Sequence, residues 1–532
     1  MKICQININK SKVSNDCICH FMSQDIKNTV YLVQEPYYYK GKIPGIPNTH
    51  HVLGLPESRA VIIAPKFIPL YLSYEFSLKD QTICLFDDGK KRFFLCSIYL
   101  DIHLECVSRS LVQFCDYVTN EKMTSILGLD SNSHSVMWGS NETNTRGEIL
   151  ENFIMQYNIT VLNIGKEPTF ESSRFSTIID ITLKIGDDVR IHSWRVNKEY
   201  CFSDHKRIEF DISLDLGKIP TVKKVNWGKF HSLLRLKDVG YFFWTNKSIE
   251  AEAANLEASI NDALVQSTYE TPLSTKSAKW WNVNLAKMKQ ITKKLAKARR
   301  NSEADNEKFI SSKKSFQKEI RKAKRAKWQE FVNSVTDPKS MALLKHALTK
   351  QPTVKIGLLK KPDGSFSKNF HDSIRTLMKE HFPGSVSLQN CREANSLLDY
   401  DISIQNRKNY KSRTHSTFIN EQGFNLDDKF CIEADFSDSF ITEENVQRSI
   451  NSFGPKKTGG LDGFSPRVLQ NLPFKYIQRL TRLFQAMLHL GYTPERWRVA
   501  KTIFIPKPSK NDYSLVRSHR PLTLTSFFSK NL

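Results

Sequence analysis

Polar residues that could bind a metal ion and a phosphate recur in the first 213 residues, each near the end of an apolar run. The set is Asn7, Asn9, Glu35, Tyr99, Asp130, Asn132, Asp180, Asp204 and His205. Hydrolysis of a phosphodiester needs carboxylates for a hard divalent cation, a base for the attacking water, and donors for the phosphoryl oxygens. The set contains all three kinds of group, so it predicts one phosphodiesterase site.

Each member taken alone has a simpler interpretation. A single acid near a strand end is typical of a solvated loop residue or a helix cap. His205 alone is typical of a hydrogen-bonded surface histidine. His134 is interpreted mainly as a support for the loop that follows Asp130. The order of the whole set is what favours a site.

The apolar runs that precede these residues have the pattern of short strands, rich in β-branched and aromatic residues. They are Lys2–Ile8, Thr29–Gln34, Ala60–Ala64, Gln81–Phe86, Phe93–Leu100, Ser125–Leu129, Thr177–Leu183, Arg190–Val196 and Lys206–Ile212. Asp88-Gly89 between two runs predicts a hairpin, and Leu104–Thr119 and Arg146–Gln156 have helical spacing. Polar residues at strand ends can converge, so we expect an α/β fold with two packed sheets, helices outside, and the site at one mouth.

The same residues stand in motifs that resemble one family. The motifs are Gln5-Ile6-Asn7-Ile8-Asn9, Gln34-Glu35-Pro36-Tyr37, Leu129-Asp130-Ser131-Asn132-Ser133-His134, Trp138-Gly139-Ser140, Ile179-Asp180-Ile181-Thr182 and Ser203-Asp204-His205. In this order they resemble the endonuclease/exonuclease/phosphatase superfamily as carried by non-LTR (LINE) retrotransposons, in the Jockey-like and ribosomal-DNA-inserting groups. The resemblance covers essentially residues 1–213 and implies a two-sheet β-sandwich flanked by helices, the DNase I-like fold.

The resemblance implies a metal site and a base. Glu35 would bind Mg²⁺ (or Mn²⁺), supported by Asn7 and Asp204. Asp130 would orient and deprotonate the attacking water, and Asn132 would hold the scissile phosphate. The product would be a nick in duplex DNA with a 3′-hydroxyl and a 5′-phosphate.

The resemblance also implies how charge on the phosphate is stabilised. His205, oriented and kept cationic by Asp180, would face the phosphoryl oxygens, and Tyr99 would donate to one of them. Two departures from the family pattern stand out. Tyr99 is followed by Leu100-Asp101 where relatives often have proline, and Asn9 stands where several DNA-repair relatives have an acid, which weakens a two-metal mechanism.

A second group of motifs occupies the C-terminal part. They are Phe453-Gly454-Pro455-Lys456-Lys457-Thr458-Gly459-Gly460-Leu461-Asp462-Gly463-Phe464, Gly491-Tyr492-Thr493-Pro494-Glu495-Arg496-Trp497, Ile505-Pro506-Lys507-Pro508 and Arg520-Pro521-Leu522. They resemble the N-terminal extension and fingers of a retrotransposon reverse transcriptase. Lys507 and Arg520 correspond to residues that contact the incoming nucleotide's triphosphate, here interpreted as a vestigial nucleotide site.

No palm aspartates follow these fingers motifs. The two upstream Asp-Asp pairs, at Asp87-Asp88 and Asp187-Asp188, are predicted to be turns. We therefore expect no reverse transcriptase activity from this chain, and loose order in residues 441–532.

Charge and composition narrow the partners. The 532 residues carry a formal net charge of +23, which indicates a polyanionic partner. No secretion leader and no apolar run of roughly 20 residues is present, so we expect no membrane partner and no secretion. The cysteines form no Cys-x-x-Cys pair and are interpreted as reduced thiols. Synthesis in the cytoplasm and action in the nucleus are expected.

The positive charge is concentrated outside residues 1–213, above all in residues 276–330. Trp280-Trp281 precedes what looks like one long basic helix through Trp328, with aromatics among the lysines. This pattern suits either a solvated helix face or contact with DNA or element RNA. The candidate nucleic-acid-binding residues are Lys293, Lys294, Arg299, Arg300, Arg321, Lys322, Lys324 and Arg325.

The sequence thus divides into four predicted parts. They are an endonuclease/exonuclease/phosphatase domain (1–213), a helical basic connector (214–350), a mixed, partly disordered linker (351–440), and a truncated reverse transcriptase N-terminal and fingers region (441–532). The leading hypothesis is a target-nicking DNA endonuclease whose nick primes reverse transcription. The alternatives are another phosphodiesterase of the superfamily, such as an abasic-site endonuclease, and a degenerate fragment that only binds nucleic acid.

Overall fold

The computed structural model describes most of the chain and groups it into two compact units. The described residues are 1–24, 28–172, 175–214, 221–234, 245–272, 280–299, 301–335, 337, 341, 355–383, 440–508 and 510–531. The first unit comprises Met1–Pro220, Leu273–Thr376 and Pro508–Ser518, and the second comprises Thr221–Pro272, Leu377–Lys507 and His519–Leu532. Residues 384–439, which include most of the predicted linker, lie outside the described residues.

The first unit contains two six-stranded sheets. The described strands of this unit are β1 (Lys2–Asn7), β2 (Thr29–Gln34), β3 (His50–Leu53), β4 (Ala60–Pro65), β5 (Leu70–Leu72), β6 (Gln81–Asp87), β7 (Arg92–Tyr99), β8 (Thr124–Asp130), β9 (Thr160–Val161), β10 (Phe170–Glu171), β11 (Ser176–Thr177), β12 (Asp180–Ile185), β13 (Ile191–Asn197) and β14 (Arg207–Ile212). The sheet orders are β13-β14-β1-β2-β4-β3 and β5-β6-β7-β8-β12-β9. β10 and β11 form a separate small hairpin. The predicted α/β fold of two sheets with helices outside is confirmed.

The sheets face each other across an apolar core, and helices cover their outer faces. β2 and β4 are buried throughout, as expected for strands covered on both faces. The helices are α1 (Lys12–Gln24), α2 (Arg109–Asn120) and α3 (Thr145–Gln156), with a short 3₁₀ turn at Val136–Trp138. Ser108 caps the N-terminus of α2, since its side chain accepts from the backbone N–H of Leu111, and α2 buries an apolar stripe against the second sheet.

Several predicted boundaries shift. The run Thr177–Leu183 is divided, since β11 ends at Thr177 and β12 begins at Asp180. α1, β3 and β5 were not predicted. The Asp88-Gly89 hairpin is confirmed, because Gly89 has φ +84° between the paired strands β6 and β7. The described cysteines are free and buried.

The predicted long basic helix is wrong, since two helices, Val283–Ala298 and Glu303–Asn333, replace it. We call them the basic helix pair. The second helix begins at Ser302, whose side chain accepts from the backbone N–H of Asp305. The basic helix pair belongs to the first unit, as does the short segment Pro508–Ser518. Among the described residues, no helix is long and apolar enough to cross a membrane.

The second unit has a helical core of its own. Its elements are helices at Trp227–Leu233, Asn246–Ser267, Glu443–Ser452, Pro466–Leu469, Phe474–His489, Glu495–Arg498 and Phe527–Asn531, and strand pairs Thr221–Val225 with Thr268–Pro272 and Lys501–Pro506 with His519–Leu524. A further helix, Phe370–His381, crosses the boundary between the units. Tyr476 and Trp497 lie fully buried in this core. The predicted loose order of residues 441–532 is therefore wrong, because this region shares a packed core with residues 230–263.

Candidate active site

Strand register brings three of the predicted residues side by side in the second sheet. β7 and β8 are parallel and place Tyr99 opposite Asp130, and β8 and β12 are antiparallel and place Asp180 opposite Asp130. In the first sheet, β1 and β2 are parallel and place Asn7 opposite Gln34. Asp130 is therefore flanked on both sides by predicted site residues.

Two buried glutamines connect the sheets beneath the site. The side-chain amide of Gln5 on β1 donates to the carbonyls of Leu129 (3.0 Å) and Ile181 (3.1 Å) in the opposite sheet. The side-chain amide of Gln34 on β2 donates to the carbonyl of Gly128 (3.1 Å). These bonds fix the strand that carries Asn7 against the strands that carry Asp130 and Asp180.

Asn7 joins the carboxylates of the two sheets. Its side-chain amide donates to Oδ2 of Asp130 (2.6 Å) and Oε2 of Glu35 (3.3 Å), and its Oδ1 accepts from the backbone N–H of Asn9 (2.6 Å). Glu35 has a left-handed backbone, φ +46°, and its Oε1 lies 3.1 Å from the exposed ammonium of Lys10. The side chains of Glu35 and Asp130 thus meet at one mouth of the sandwich.

His205 lies between two carboxylates. Its Nδ1 is 2.8 Å from Oδ2 of Asp180, and its Nε2 is 3.9 Å from Oδ2 of Asp130. The ring of Phe170 packs edge-on against the imidazole, with centroids 4.9 Å apart. The Asp180 contact orients the ring, so that Nε2 faces Asp130.

Burial and charge displace the pKa values of both central groups. Burial raises the pKa of Asp130 to about 7, opposed by His205 and by the hydrogen bond from Asn7. Burial alone would lower the pKa of His205, but Asp180, Asp130 and Asp204 outweigh it and raise that pKa to about 10. Near neutral pH His205 is therefore cationic, whereas Asp130 is present in both its protonated and its ionised form.

The arrangement contains groups able to hold a metal ion. Potential ligand atoms of Asp130, Asp180 and His205 lie within 4.8 Å of one another. A protonated His205 has no lone pair for a cation, and its Nδ1 is hydrogen-bonded to Asp180, so we describe this trio as a charge relay in which Nε2 faces Asp130 at 3.9 Å. The carboxylates of Glu35 and Asp130 both accept from the amide of Asn7, and carboxylate oxygens are the donors that a hard divalent ion requires.

The other predicted site residues border this mouth. Asn132 has φ +45°, its backbone N–H donates to Oδ1 of Asp130 (3.3 Å), and its side-chain amide donates to the carbonyl of Leu100 (3.1 Å). Oδ2 of Asp204 accepts from the side chain of Asn9 (2.9 Å). Burial and nearby carboxylates, Glu35 first among them, raise the pKa of Tyr99 to about 12, so its hydroxyl remains a donor.

Sequence reasoning gave no role to several residues that shape the site. Arg59 lies over the ring of Tyr99, 5.1 Å from its centroid, and forms ion pairs with Asp80 and Asp101. Asp101 is part of the Leu100-Asp101 departure from the family pattern, and its ion pair helps to hold Arg59 over the ring of Tyr99. Gln5 and Gln34 stood in the motifs, but an amide that bridges two sheets has no local sequence signal.

His134 lies where a supporting role was expected. Its Nδ1 is 2.8 Å from Oγ1 of Thr177, and its backbone N–H donates to Oδ1 of Asn144 (3.2 Å). The backbone carbonyl of His134 lies against Gly147 and leaves no room for a Cβ at that position. These contacts fix the loop that follows Asp130.

The basic candidates divide into engaged and exposed groups. Lys293 forms an ion pair with Glu199, Arg299 donates to the carbonyl of Glu171 (2.5 Å), and Lys324 lies 2.5 Å from Asp16. Lys294, Arg321, Lys322 and Arg325 are exposed. Arg300 lies outside the described residues.

The two fingers candidates lie on or beside one hairpin of the second unit. Strand Lys501–Pro506 pairs with His519–Leu524 so that Ile505 faces Arg520, and Lys507 follows the first strand directly. Arg520 thus lies on one of two paired strands and Lys507 directly follows the other, and their role in a nucleotide site stays a prediction.

Comparisons with known proteins identify relatives along the whole chain. Residues 93–209 match the family described as endonuclease-reverse transcriptase. A 115 kDa protein of the type-1 retrotransposable element R1DM of Drosophila melanogaster is 22% identical over 94% of this chain and 48% of its own length. The Pol polyprotein of the R1 element of Bradysia coprophila is 23% identical over 93% of this chain and 49% of its own. The chain spans about half the length of these relatives.

Several solved structures are similar to part of this chain. The endonuclease domain of TRAS1, a telomere-specific non-LTR retrotransposon, is 22% identical and covers 40% of this chain and 98% of its own, with a TM-score of 0.35. The assignment rests on the sequence relatives rather than on this likeness. The chain is thus similar over nearly its whole length to proteins of type-1 retrotransposable elements, and residues 93–209 of its first unit match the endonuclease-reverse transcriptase family.

Proposed function

We propose that the first unit hydrolyses one phosphodiester bond of duplex DNA and leaves a nick with a 3′-hydroxyl and a 5′-phosphate. The observation that supports this most is the continuous arrangement Asp180–His205–Asp130, joined by Asn7 to Glu35 across the two sheets. In this proposal the arrangement would supply a cationic donor, a base and a carboxylate for a hard ion.

A divalent cation, Mg²⁺ or Mn²⁺, would be held by Glu35, with Asn7 and Asp204 beside it. Such an ion, when bound, stabilises the negative charge that develops on the phosphoryl oxygens. The exposed ammonium of Lys10 now contacts the Glu35 carboxylate, and it can leave without breaking a buried contact. Glu35 is fixed by its own backbone, because its N–H donates to the carbonyl of Arg59 and its carbonyl accepts from Lys10.

Asp130 would take a proton from the attacking water while Asn132 and Tyr99 contact the phosphate. The water oxygen forms a bond to phosphorus, the bond from phosphorus to the 3′-oxygen breaks, and that oxygen gains a proton. Asp130 is suited to this role because its pKa of about 7 makes its carboxylate a usable base at neutral pH. His205 would donate from Nε2 to a phosphoryl oxygen and keep its charge because Asp180 contacts its Nδ1.

In a longer protein of this kind, the 3′-hydroxyl of the nick would prime reverse transcription of element RNA in the nucleus. We propose that the paired strands that carry Arg520 and precede Lys507 belong to that second activity. Polymerisation by the 532 residues alone is not proposed, since their fingers motifs bring no catalytic carboxylates.

Two alternatives concern the same site. Another phosphodiesterase, such as an abasic-site endonuclease, would use the same relay, but the reverse transcriptase motifs that follow favour a retrotransposon nuclease. A degenerate fragment that only binds nucleic acid is opposed by the intact set from Asn7 to His205.

Nicking of a supercoiled plasmid by the purified chain distinguishes the DNA-nicking endonuclease from the two alternatives. With Mg²⁺ we expect open circles whose nicks a DNA polymerase extends without end repair, and with EDTA we expect none. Activity that survives EDTA, or cleavage confined to an abasic oligonucleotide or a phosphoinositide, would refute the proposal. No cleavage of any substrate would support the degenerate fragment.

A further inference from the structure

The helix Glu303–Asn333 is amphipathic in an unusual way, since cations lie on both its packed and its exposed faces. The packed face inserts Phe316 against Phe202, with ring centroids 5.0 Å apart and the rings stacked. Lys324 on this face lies 2.5 Å from Asp16. Burial lowers the pKa of Lys313, opposed by Asp204, so this cation is also directed into the first unit.

Four other cations lie on the outward face. Lys314, Lys318, Arg321 and Arg325 are exposed and separated by four, three and four residues, the spacing of one face of an α-helix. We call this set the basic stripe. At 1.5 Å per residue it extends over roughly 16 Å. Between residues 312 and 329 the sequence has one acid, Glu319, and its ion-pair contact is with Lys322 at 4.0 Å.

The basic stripe is not neutralised by the protein. Among the residues that the structure describes, none of the four forms an ion pair with a carboxylate, whereas Lys293 and Lys324 do. An exposed aromatic, Trp328, continues the same face three residues beyond Arg325 and is 43% exposed. Cations that the fold does not need for packing or pairing are the ones available to a partner.

The stripe begins beside the candidate active site. Lys313, one residue before it, interacts with Asp204. In the turn before the helix, Arg299 donates to the carbonyl of Glu171, and the backbone N–H of Glu171 donates to the carbonyl of Asp204 (2.7 Å). The helix is therefore anchored at the edge of the mouth and runs away from it, along α1 to Asp16.

We propose that the basic stripe binds phosphates of the target duplex on one side of the nick. This deepens the proposed function, on which its choice of substrate rests. Duplex DNA carries one negative charge per roughly 1.7 Å of its axis, so a straight row of about 16 Å meets several phosphates without bending the helix. A rigid row anchored next to the cleavage site suits a rigid duplex better than a folded RNA.

The test compares matched charge removals in the full chain. Lys318→Gln/Arg321→Gln removes two cations from the stripe. The control, Lys90→Gln/Lys91→Gln, removes two exposed cations from the turn between β6 and β7. This turn precedes β7, whereas Tyr99 lies at the other end of that strand. Binding to a 30-base-pair duplex is measured against salt in EDTA, so that no cleavage is needed. Thermal unfolding shows that both variants are folded.

We expect the stripe variant to reduce the slope of log affinity against log salt by about 2, roughly 0.9 for each lost phosphate contact. The variant lacking all four stripe cations should reduce it by about 3 to 4 and bind at least tenfold more weakly, whereas the Lys90/Lys91 control keeps the parental slope. Equal slopes for all variants would overturn the proposal. A loss confined to single-stranded RNA would overturn its choice of duplex DNA.

The two proposals can fail separately. A parent that does not nick DNA but shows the stripe-dependent slope leaves the binding surface standing and refutes the nuclease. A parent that nicks with Mg²⁺ but shows no stripe dependence refutes the binding surface alone.

Discussion

Asp130 and His205 have pKa values raised for different reasons, and the difference assigns their roles. Burial raises the pKa of Asp130, which makes its carboxylate a stronger base than a solvated aspartate. Carboxylates raise the pKa of His205 against the effect of burial, which keeps a positive charge next to that base. Asp180 contributes most to this effect, and it contacts Nδ1, the ring nitrogen on the side away from Asp130.

The rate of nicking should therefore rise with pH through about 7, as Asp130 loses its proton. It should remain high until His205 loses its proton at a pH of about 10. Asp180→Asn removes the carboxylate that holds the proton on His205. We expect the high-pH fall of the variant to move to lower pH, within a single-turnover series from pH 5.5 to 9.5. A variant that loses rate equally at every pH would show that Asp180 only supports the fold.

The identity of these residues could be predicted from the sequence because Asp130 ends a strand, Asp180 begins one, and His205 lies two residues before one. The contacts that these residues make with one another could not be predicted. Asn7 was expected to support the metal, and its amide instead donates to two carboxylates. Whether Asn7 also binds a metal stays a prediction. Arg59 had no signal, since its partners Asp80 and Asp101 come from separate loops.

At the scale of the elements, the site depends on the close approach of the two sheets. A Cβ on Gly128 would lie 2.8 Å from Cδ1 of Leu32 and 2.9 Å from Oε1 of Gln5. Gly128 therefore marks the point at which β1 and β2 approach β8. The approach allows Gln5 and Gln34 to bond across the core.

Gly128→Ala should destabilise the first unit by about 1 to 3 kcal/mol, the usual cost of overpacking a close-packed core. The measurement is urea unfolding of the full chain, followed by its tryptophan fluorescence. Gly228→Ala is the control, since a Cβ there meets nothing closer than 3.5 Å and lies in a helix. Equal unfolding midpoints for Gly128→Ala and the parent would contradict the close approach.

Most strands were predictable because a sandwich strand carries its apolar pattern locally. α1 was not, since several of its buried residues are polar. Its Asp16 pairs with Lys324, and its His20 stacks on Trp281 with ring centroids 4.2 Å apart. Those partners are 308 and 261 residues away in sequence, so no local pattern could reveal them. The break in the basic region had a signal, the cap Ser302-Glu303-Ala304-Asp305, that the charge pattern obscured.

At the scale of the whole molecule, the basic helix pair is part of the first unit rather than a free connector. Val13 and Cys17 of α1 and Phe202 share a buried cluster with Leu285 and Phe316. The high net charge therefore has two uses, since some cations hold the helix pair in place and others remain exposed.

Phe316→Ala should cost about 3 to 5 kcal/mol of unfolding free energy for the first unit, because it removes a fully buried ring. Thermal and urea unfolding of the full chain measure this. Phe474→Ala, whose ring is 63% exposed, serves as the matched control and should change stability by less than about 0.5 kcal/mol. A similar small effect at Phe316 would show that the helix pair is not anchored there.

The proposed nuclease depends on the relay of Asp180, His205 and Asp130 at the mouth of the sandwich. Single-turnover nicking of a supercoiled plasmid with Mg²⁺ is the direct measurement, for the parent, Asp130→Ala, His205→Ala and the control His192→Ala, whose histidine is exposed on β13. We predict that the first two variants lose at least about 10²-fold in rate, the scale of a lost base or charge stabiliser, and that the control keeps the parental rate. Parental rates for Asp130→Ala and His205→Ala would contradict a catalytic role of these two residues.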